Sequence, residues 1–302
     1  MTTPLASSMK LGIVYFMAYP FAMSGEGDIE RTVRRIIEDP DFDCIEMTRV
    51  NDPALRARLA GLIRQSGITM TYGAQPQLLR NQENINSLDE TLRRRAIDRL
   101  KACVDEAYET GAQGFAYLAG KYDPGSKEEA YAALVDGSRE LCAYAASKGD
   151  MPVNLEVFDD DVEKCSLIGT VDYARRFAER MSGEFPNFGL MVDLSHITQL
   201  HTGIDANIDP IAPYIRHAHI ANAVLKPGAA AYGDQHPRFG FEHGVVDEDT
   251  LAAFLRKLYD IGYLGEGRRP IVSFEVKPWG DEDSEAVIAN AKRFLNAAWI
   301  KV

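Results

Sequence analysis

Residues 92–118 read LRRRAIDRLKACVDEAYETGAQGFAYL and change period once. Leu92, Ala96, Ile97, Leu100, Cys103, Val104, Ala107 and Tyr108 recur at spacings of three and four, which predicts an amphipathic helix with one buried stripe. Gly114 to Leu118 then forms a short apolar and aromatic run, the pattern of a buried strand. The same alternation extends in both directions. It predicts strands over Leu11–Phe16, Cys44–Thr48, Ile68–Gly73, Gly114–Leu118, Val153–Val157, Phe188–Asp193, Ile215–Ile220 and Pro270–Glu275. The helix before the last strand repeats the stripe with Leu251, Phe254, Leu255 and Leu258, and Asp247, Glu248 and Asp249 suit its positive N-terminal end.

Eight strand and helix units without a Pro/Ser-rich linker or a shift in composition predict one α/β domain over residues 1–302, a closed (β/α)8 barrel. A doubly wound sheet would use fewer strands and a glycine-rich first turn. Gly25-Glu26-Gly27 is a fragment of such a turn, and Gly265-Glu266-Gly267 precedes a strand, so both read as loop glycines. In a barrel the loops after the strands form the catalytic face. Those loops are the long ones here, at 17–27, 74–86 and 221–246. The last is far longer than an ordinary connection and reads as a lid or binding element.

Of the 302 residues, 33 are Lys or Arg and 45 are Asp or Glu, a formal charge of −12. Nucleic-acid binding needs clustered basic side chains, so this balance argues against it. The uncharged stretch Leu11–Gly25 is short and contains Pro20, which argues against a membrane span. Met1–Lys10 lacks the basic and apolar regions of a signal peptide. Cys44, Cys103, Cys142 and Cys165 form no C-x-x-C pair and are expected as free thiols, mostly buried. Together these features predict a cytoplasmic protein.

All six histidines, His196, His201, His217, His219, His236 and His243, fall at the sixth and seventh strand ends or in the long loop after them. More specific is what ends the last four strands: Glu156, Asp193, His219 and Glu275. Side chains alternate along a strand, so all four can point inward toward one place. Three carboxylates converging in a barrel mouth repel one another, and a divalent cation resolves that repulsion. Oxygen donors with one imidazole suit Mn²⁺, Mg²⁺ or Co²⁺, and also Zn²⁺. His217, two residues before His219, is expected on the same face one layer deeper, in a core or supporting role. His201 is expected at the surface or in packing.

At this point the chain resembles the xylose-isomerase-like TIM-barrel superfamily, and within it the sugar epimerases typified by D-tagatose 3-epimerase. The resemblance covers the strand order of nearly the whole chain. It rests on Asn154-Leu155-Glu156, Asp193-Leu194-Ser195-His196, His217-Ala218-His219-Ile220 and Ser273-Phe274-Glu275-Val276-Lys277-Pro278. It implies that Glu156, Asp193, His219 and Glu275 hold a single divalent ion, Mn²⁺ first among the candidates. It also implies that Glu156 and Glu275 are the acid/base pair of an isomerase or epimerase, and that His196 contacts sugar oxygens. Glu46, at the end of strand two, is expected as a further polar contact. In the last two loops His236 and Arg238 are expected to touch substrate, and Trp279 to stack on a sugar ring.

Two departures from the ketose epimerases matter. They carry a second Glu six residues after the strand-five ligand and an Arg six residues after the strand-seven His, positions held here by Val162 and Leu225. The interval from His219 to Glu275 is also longer. The metal site is therefore expected to persist while the substrate end of the pocket is rebuilt. The catalytic subunits of C-glycoside deglycosidases are similar as well, which implies an alternative carbon-bond lyase acting on 3-oxo-glycosides with a small β subunit as partner. A non-catalytic sugar-binding barrel is the third reading. The DNA-repair endonucleases of the superfamily need histidines from the early strands, and none occurs before His196. The expected ligand is an unphosphorylated sugar or glycoside, and the resemblance implies a homo-oligomer.

Overall fold

The computed structural model describes residues 4–302. Eight parallel strands pair in chain order and close into a barrel: β1 Lys10–Val14, β2 Cys44–Met47, β3 Thr69–Gly73, β4 Phe115–Leu118, β5 Val153–Glu156, β6 Phe188–Asp193, β7 Ile215–Ile220 and β8 Ile271–Phe274. Each predicted strand is present, with ends differing by up to two residues. At β1 the difference has a cause. Tyr15–Ala18, strand-like by composition, turn into a short helix buried on all sides, so the strand stops at Val14.

The helices pack their stripes on the barrel. In Glu90–Thr110 the positions Ala96, Ile97, Leu100, Cys103, Val104 and Ala107 are buried, while Leu92, in the first turn, stands 47% exposed. Leu251, Phe254, Leu255 and Leu258 are all inaccessible, and Asp247 caps their helix by accepting from the Thr250 N–H at 2.8 Å. Cys44, Cys103 and Cys142 are buried free thiols, and Cys165 is half-buried. Among the described residues no helix is long and apolar enough to cross a membrane.

One irregularity sets the phase of the site. β6 and β7 pair Leu190 with Ile215, but the next pair is Met191 with His217, so Arg216 is an extra residue in β7 and points outward. A one-residue slip exchanges the two faces of a strand. Above the slip Asp193 therefore pairs with His219, and both face inward. Gly189 makes room beside the bulge, since a Cβ there would collide with the Arg216 side chain.

The three long loops are ordered by the chain itself. Residues 17–27 contain a 3-10 turn over Pro20–Ser24, and residues 74–86 contain a helix over Gln75–Asn81. Residues 221–246 carry no helix or named strand. They are pinned by an Asn222 amide that donates to the Arg238 carbonyl and accepts from the Val246 N–H, and by a bond from the Lys277 N–H to the His236 carbonyl. Phe239 anchors the middle of this loop, stacked on Phe294 with ring centroids 4.4 Å apart.

Candidate metal centre and its cavity

The barrel brings the four strand-end residues together. Glu156 closes β5, Asp193 closes β6, His219 lies in β7, and Glu275 follows β8 by one residue. Their ligand atoms lie within 4.8 Å of one another. His219 Nδ1 is 2.7 Å from Glu275 Oε2, 3.7 Å from Glu156 Oε1 and 3.8 Å from Asp193 Oδ2.

The remaining oxygens are occupied. Asp193 Oδ1 accepts from the Ser195 N–H, and Glu156 Oε2 accepts from Gln75 Nε2 at 2.7 Å. Glu156 Oε1 and Asp193 Oδ2 are left buried without a hydrogen-bond partner among the described residues. Two orphaned carboxylate oxygens facing one imidazole nitrogen are costly unless a cation joins them. The donor set fits a divalent ion such as Mn²⁺, Mg²⁺, Co²⁺ or Zn²⁺.

Glu46 stands behind His219. Its Oε1 accepts from His219 Nε2 at 3.1 Å and from His217 Nε2 at 2.7 Å. Protonating His219 at Nε2 leaves Nδ1 as the ligand atom, the usual arrangement at metal-binding imidazoles. Burial opposes charge on both partners. The attraction of His217 and His219 outweighs it for Glu46, holding that carboxyl well below the usual range, and Glu46 and Glu275 hold His219 well above that of an imidazole, with a proton at Nδ1 that a bound cation would displace. Glu46 was expected to contact substrate; it lines the cavity, but the oxygen it directs inward is committed to the two imidazoles. His217, expected one layer deeper on the same face, is buried there and bonds to Glu46.

A second network abuts this one. Asp234 Oδ1 accepts from His196 Nε2 at 2.9 Å and from His236 Nε2 at 2.8 Å, while its Oδ2 pairs with Lys164 Nζ at 2.6 Å. The Asp234 N–H donates to Glu163 Oε2 at 2.6 Å. The turn that supplies Glu163 and Lys164 is fixed by Asp159, a fully buried carboxylate accepting from the N–H groups of Val162, Glu163, Lys164 and Cys165 at 2.8–3.0 Å.

Over both networks lies a cavity of about 180 Å³. Its polar lining includes Glu156, His219, Glu275, His236, Lys164 and Lys277, and its apolar lining includes Phe16, Met17, Met23, Leu79 and Phe158. Of the five residues expected at the substrate, His236 and Glu46 line it.

The other three do not line it. His196 is buried behind the wall, packed on Phe158 at a centroid distance of 4.2 Å, with its Nδ1 bonded to the Val157 carbonyl at 3.0 Å. Both of its nitrogens are used, so it supports the wall and does not reach the cavity. Arg238 and Trp279 lie outside the lining: Glu282 accepts from Arg238 Nε at 2.8 Å and from the Trp279 backbone N–H at 3.0 Å, and the indole packs edge-on against Phe241 with ring centroids 6.3 Å apart. With Phe239 anchored inward, the neighbouring Arg238 turns out. His201 is exposed, paired with Asp161 at 2.9 Å.

Gln75, Lys164 and Asp234 escaped the sequence reading as site residues. Gln75 opens the loop after β3 and Asp234 sits in the long loop beside His236, so position on the catalytic face was the one available signal. Lys164 had none.

Residues 35–298 match the model of the family described as xylose isomerase-like TIM barrel. Solved structures with the same fold include the D-psicose 3-epimerase of Clostridium cellulolyticum H10, at 19% identity and TM-score 0.67, covering 97% of this chain and 96% of that one. The IOLI protein with a binding zinc atom is 17% identical at TM-score 0.73, with 97% and 99% covered. The 3-keto-D-glucoside 4-epimerase of E. coli is 17% identical at TM-score 0.66, with 95% and 99% covered. No curated protein matches the chain in sequence.

Proposed function

The chain belongs to the xylose isomerase-like TIM barrel family, and on that premise we propose that it is a divalent-metal-dependent sugar isomerase or epimerase. The observation that carries the reading is the pair of orphaned oxygens, Glu156 Oε1 and Asp193 Oδ2, turned toward His219 Nδ1 beside Glu275 at the floor of a sugar-sized cavity. Glu156, Asp193, His219 and Glu275 would hold the ion, with Mn²⁺ the first candidate. Similarity to solved epimerases and to a zinc-binding relative supports the same class.

Moving a proton next to a carbonyl requires acidifying a C–H bond that a carboxylate alone does not ionise. A bound divalent ion would stabilise the developing negative charge on the substrate oxygens by several kcal/mol. The chain supplies the proton transfers. Glu156 and Glu275 approach the cavity from strands β5 and β8, so one can remove a proton from one face of the substrate and the other return one to the opposite face. Each positioned acid/base group contributes about 10²- to 10⁴-fold. Gln75 fixes Glu156 through its Oε2, and His236 approaches Glu275 Oε1 to 3.7 Å. Phe16, Met17 and Phe158 exclude water from the apolar side.

The long loop over 221–246 favours a second reading. It delivers Asp234, Gln235 and His236 into the cavity wall and so rebuilds the substrate end. A 3-oxo-glycoside, eliminated by the same proton abstraction as in a C-glycoside deglycosidase, would then be the substrate. The ligand is a small sugar or glycoside in either case. The natural assembly is a homo-oligomer, or for the lyase a complex with a small β subunit, and the setting is the cytoplasm.

The test is incubation in D₂O with Mn²⁺ and a panel of ketoses, 3-oxo-glucosides and C-glycosides, read by NMR. Deuterium uptake without cleavage supports the isomerase, aglycone release supports the lyase, and no reaction across the panel refutes both. Glu275→Gln separates either enzyme from a non-catalytic sugar-binding barrel: an enzyme loses turnover, whereas a binding module has none to lose and keeps its ligand.

A further inference from the structure

Apart from the proposed metal ligands, two buried or half-buried side chains lining the cavity have bonding capacity that the protein leaves unused. Gln75 is buried and donates through Nε2 to Glu156 Oε2 at 2.7 Å. A carboxylate accepts but does not donate when ionised, so this bond fixes the amide's orientation. Gln75 Oε1 is then a buried acceptor with no partner among the described residues. It requires a donor, and a substrate hydroxyl supplies one.

The second is Lys277. Its half-buried ammonium lines the cavity, and its hydrogen bond among the described residues is to a neutral group, Gln235 Oε1 at 3.2 Å. The orientation of Gln235 is itself set, because Gln235 Nε2 donates to Glu163 Oε1 at 2.8 Å. Lys164, the other cavity lysine, is neutralised by Asp234 at 2.6 Å. Lys277 has no such carboxylate among the described residues. An ammonium with three donors and one neutral acceptor, in a protein of formal charge −12, is a place where an anion is favoured against the overall field.

Resting on the isomerase or epimerase reading, we propose that the substrate is a sugar acid, whose hydroxyls meet Gln75 Oε1 and whose carboxylate meets Lys277 Nζ. Arg80, the other lining cation without a carboxylate partner among the described residues, stands exposed, so the half-buried Lys277 is one ammonium and matches a monoanionic carboxylate. A phosphate dianion calls for several converging donors. The apolar wall of Phe16, Met17 and Phe158 packs the C–H face of the same molecule.

The test uses Mn²⁺-loaded full-length protein and isothermal titration calorimetry with D-fructuronate, D-fructose and D-fructose 6-phosphate. The first two differ in whether carbon six is a carboxylate. Fructuronate is expected to bind at least tenfold more tightly than fructose. Lys277→Met should erase that advantage while leaving Mn²⁺ stoichiometry and melting temperature unchanged, and Lys277→Arg should restore part of it. Gln75→Leu should weaken both sugars. The proposal is overturned if fructose binds as well as fructuronate in the wild-type protein, if Lys277→Met keeps the preference, if the phosphate binds more tightly, or if no sugar binds. Mn²⁺ stoichiometry in the same samples separates these failures from failure of the metal-centre reading, which a protein binding no Mn²⁺ would show.

Discussion

Glu46 Oε1 lies 3.1 Å from His219 Nε2, on the far side of the imidazole from the three carboxylates that Nδ1 faces. With Nε2 donating to Glu46, Nδ1 is turned to the centre as the proposed ligand nitrogen. Removing such an outer partner weakens metal binding by about 10- to 100-fold. Glu46→Ala should therefore raise the Mn²⁺ dissociation constant by that factor in calorimetric titration. An unchanged constant would mean that the tautomer is set elsewhere.

Chelation should cost stability, because the orphaned oxygens of Glu156 and Asp193 are then uncompensated. An ion that binds only the folded chain adds about 2.7 kcal/mol at a hundredfold excess over its dissociation constant. Melting temperature should fall in EDTA and recover on titration with Mn²⁺. Overlapping melting curves would argue against an ion at this ring.

His196 donates from both ring nitrogens, to the Val157 carbonyl and to Asp234, which makes it an imidazolium. Burial opposes that charge, but Asp234 and Asp193 outweigh it and raise the pKa from 6.5 to about 10. A pKa raised on folding contributes stability that is complete below the unfolded value and is lost as pH climbs through the folded one. In metal-free protein the melting temperature should decline between pH 6.5 and 10. Asp234→Asn should flatten the decline, and calorimetry across that range reads the difference in slope.

Asp159 is the sole partner among the described residues for several loop N–H groups, and it touches neither the cavity nor the four proposed ligands. Asp159→Ala leaves four N–H groups without the carboxylate they share. Each hydrogen bond to a charged group is worth about 1.5–3 kcal/mol, so the loss in urea denaturation should be at least about 3 kcal/mol. Limited proteolysis should then cut within residues 160–165, and cleavage elsewhere would count against this role.

The barrel and the convergence of four strand-end side chains were legible in the sequence because both follow from period. A strand's last inward residue is fixed by alternation, and Glu156, Asp193, His219 and Glu275 each end a readable strand. The loops obey no period. Arg238 turns away because Glu282, 44 residues on, holds it; Trp279 packs against Phe241 of the long loop; and His196 is sealed in by Phe158 and by Asp234, the latter 38 residues away in sequence. Gln75 and Lys164 became visible once tertiary contacts brought them to Glu156 and Asp234. Leu92 shows the converse: it fits the stripe, yet its helix begins beyond the edge of the barrel wall.

The supernumerary Arg216 has a consequence for which changes the seventh strand can absorb. Below it Ile215 keeps step with Leu190; above it His217 keeps step with Met191. A chain shortened by deleting Arg216 would heal the ladder and still present His219 to its carboxylates. The same deletion made at Ala218 has two outcomes: either the extra residue persists and the His219 imidazole turns outward, or the ladder heals with His219 still opposite Asp193 and His217, the second donor to Glu46, turns outward instead. In this strand a lost residue is harmless at the bulge, whereas two positions later it displaces one imidazole or the other.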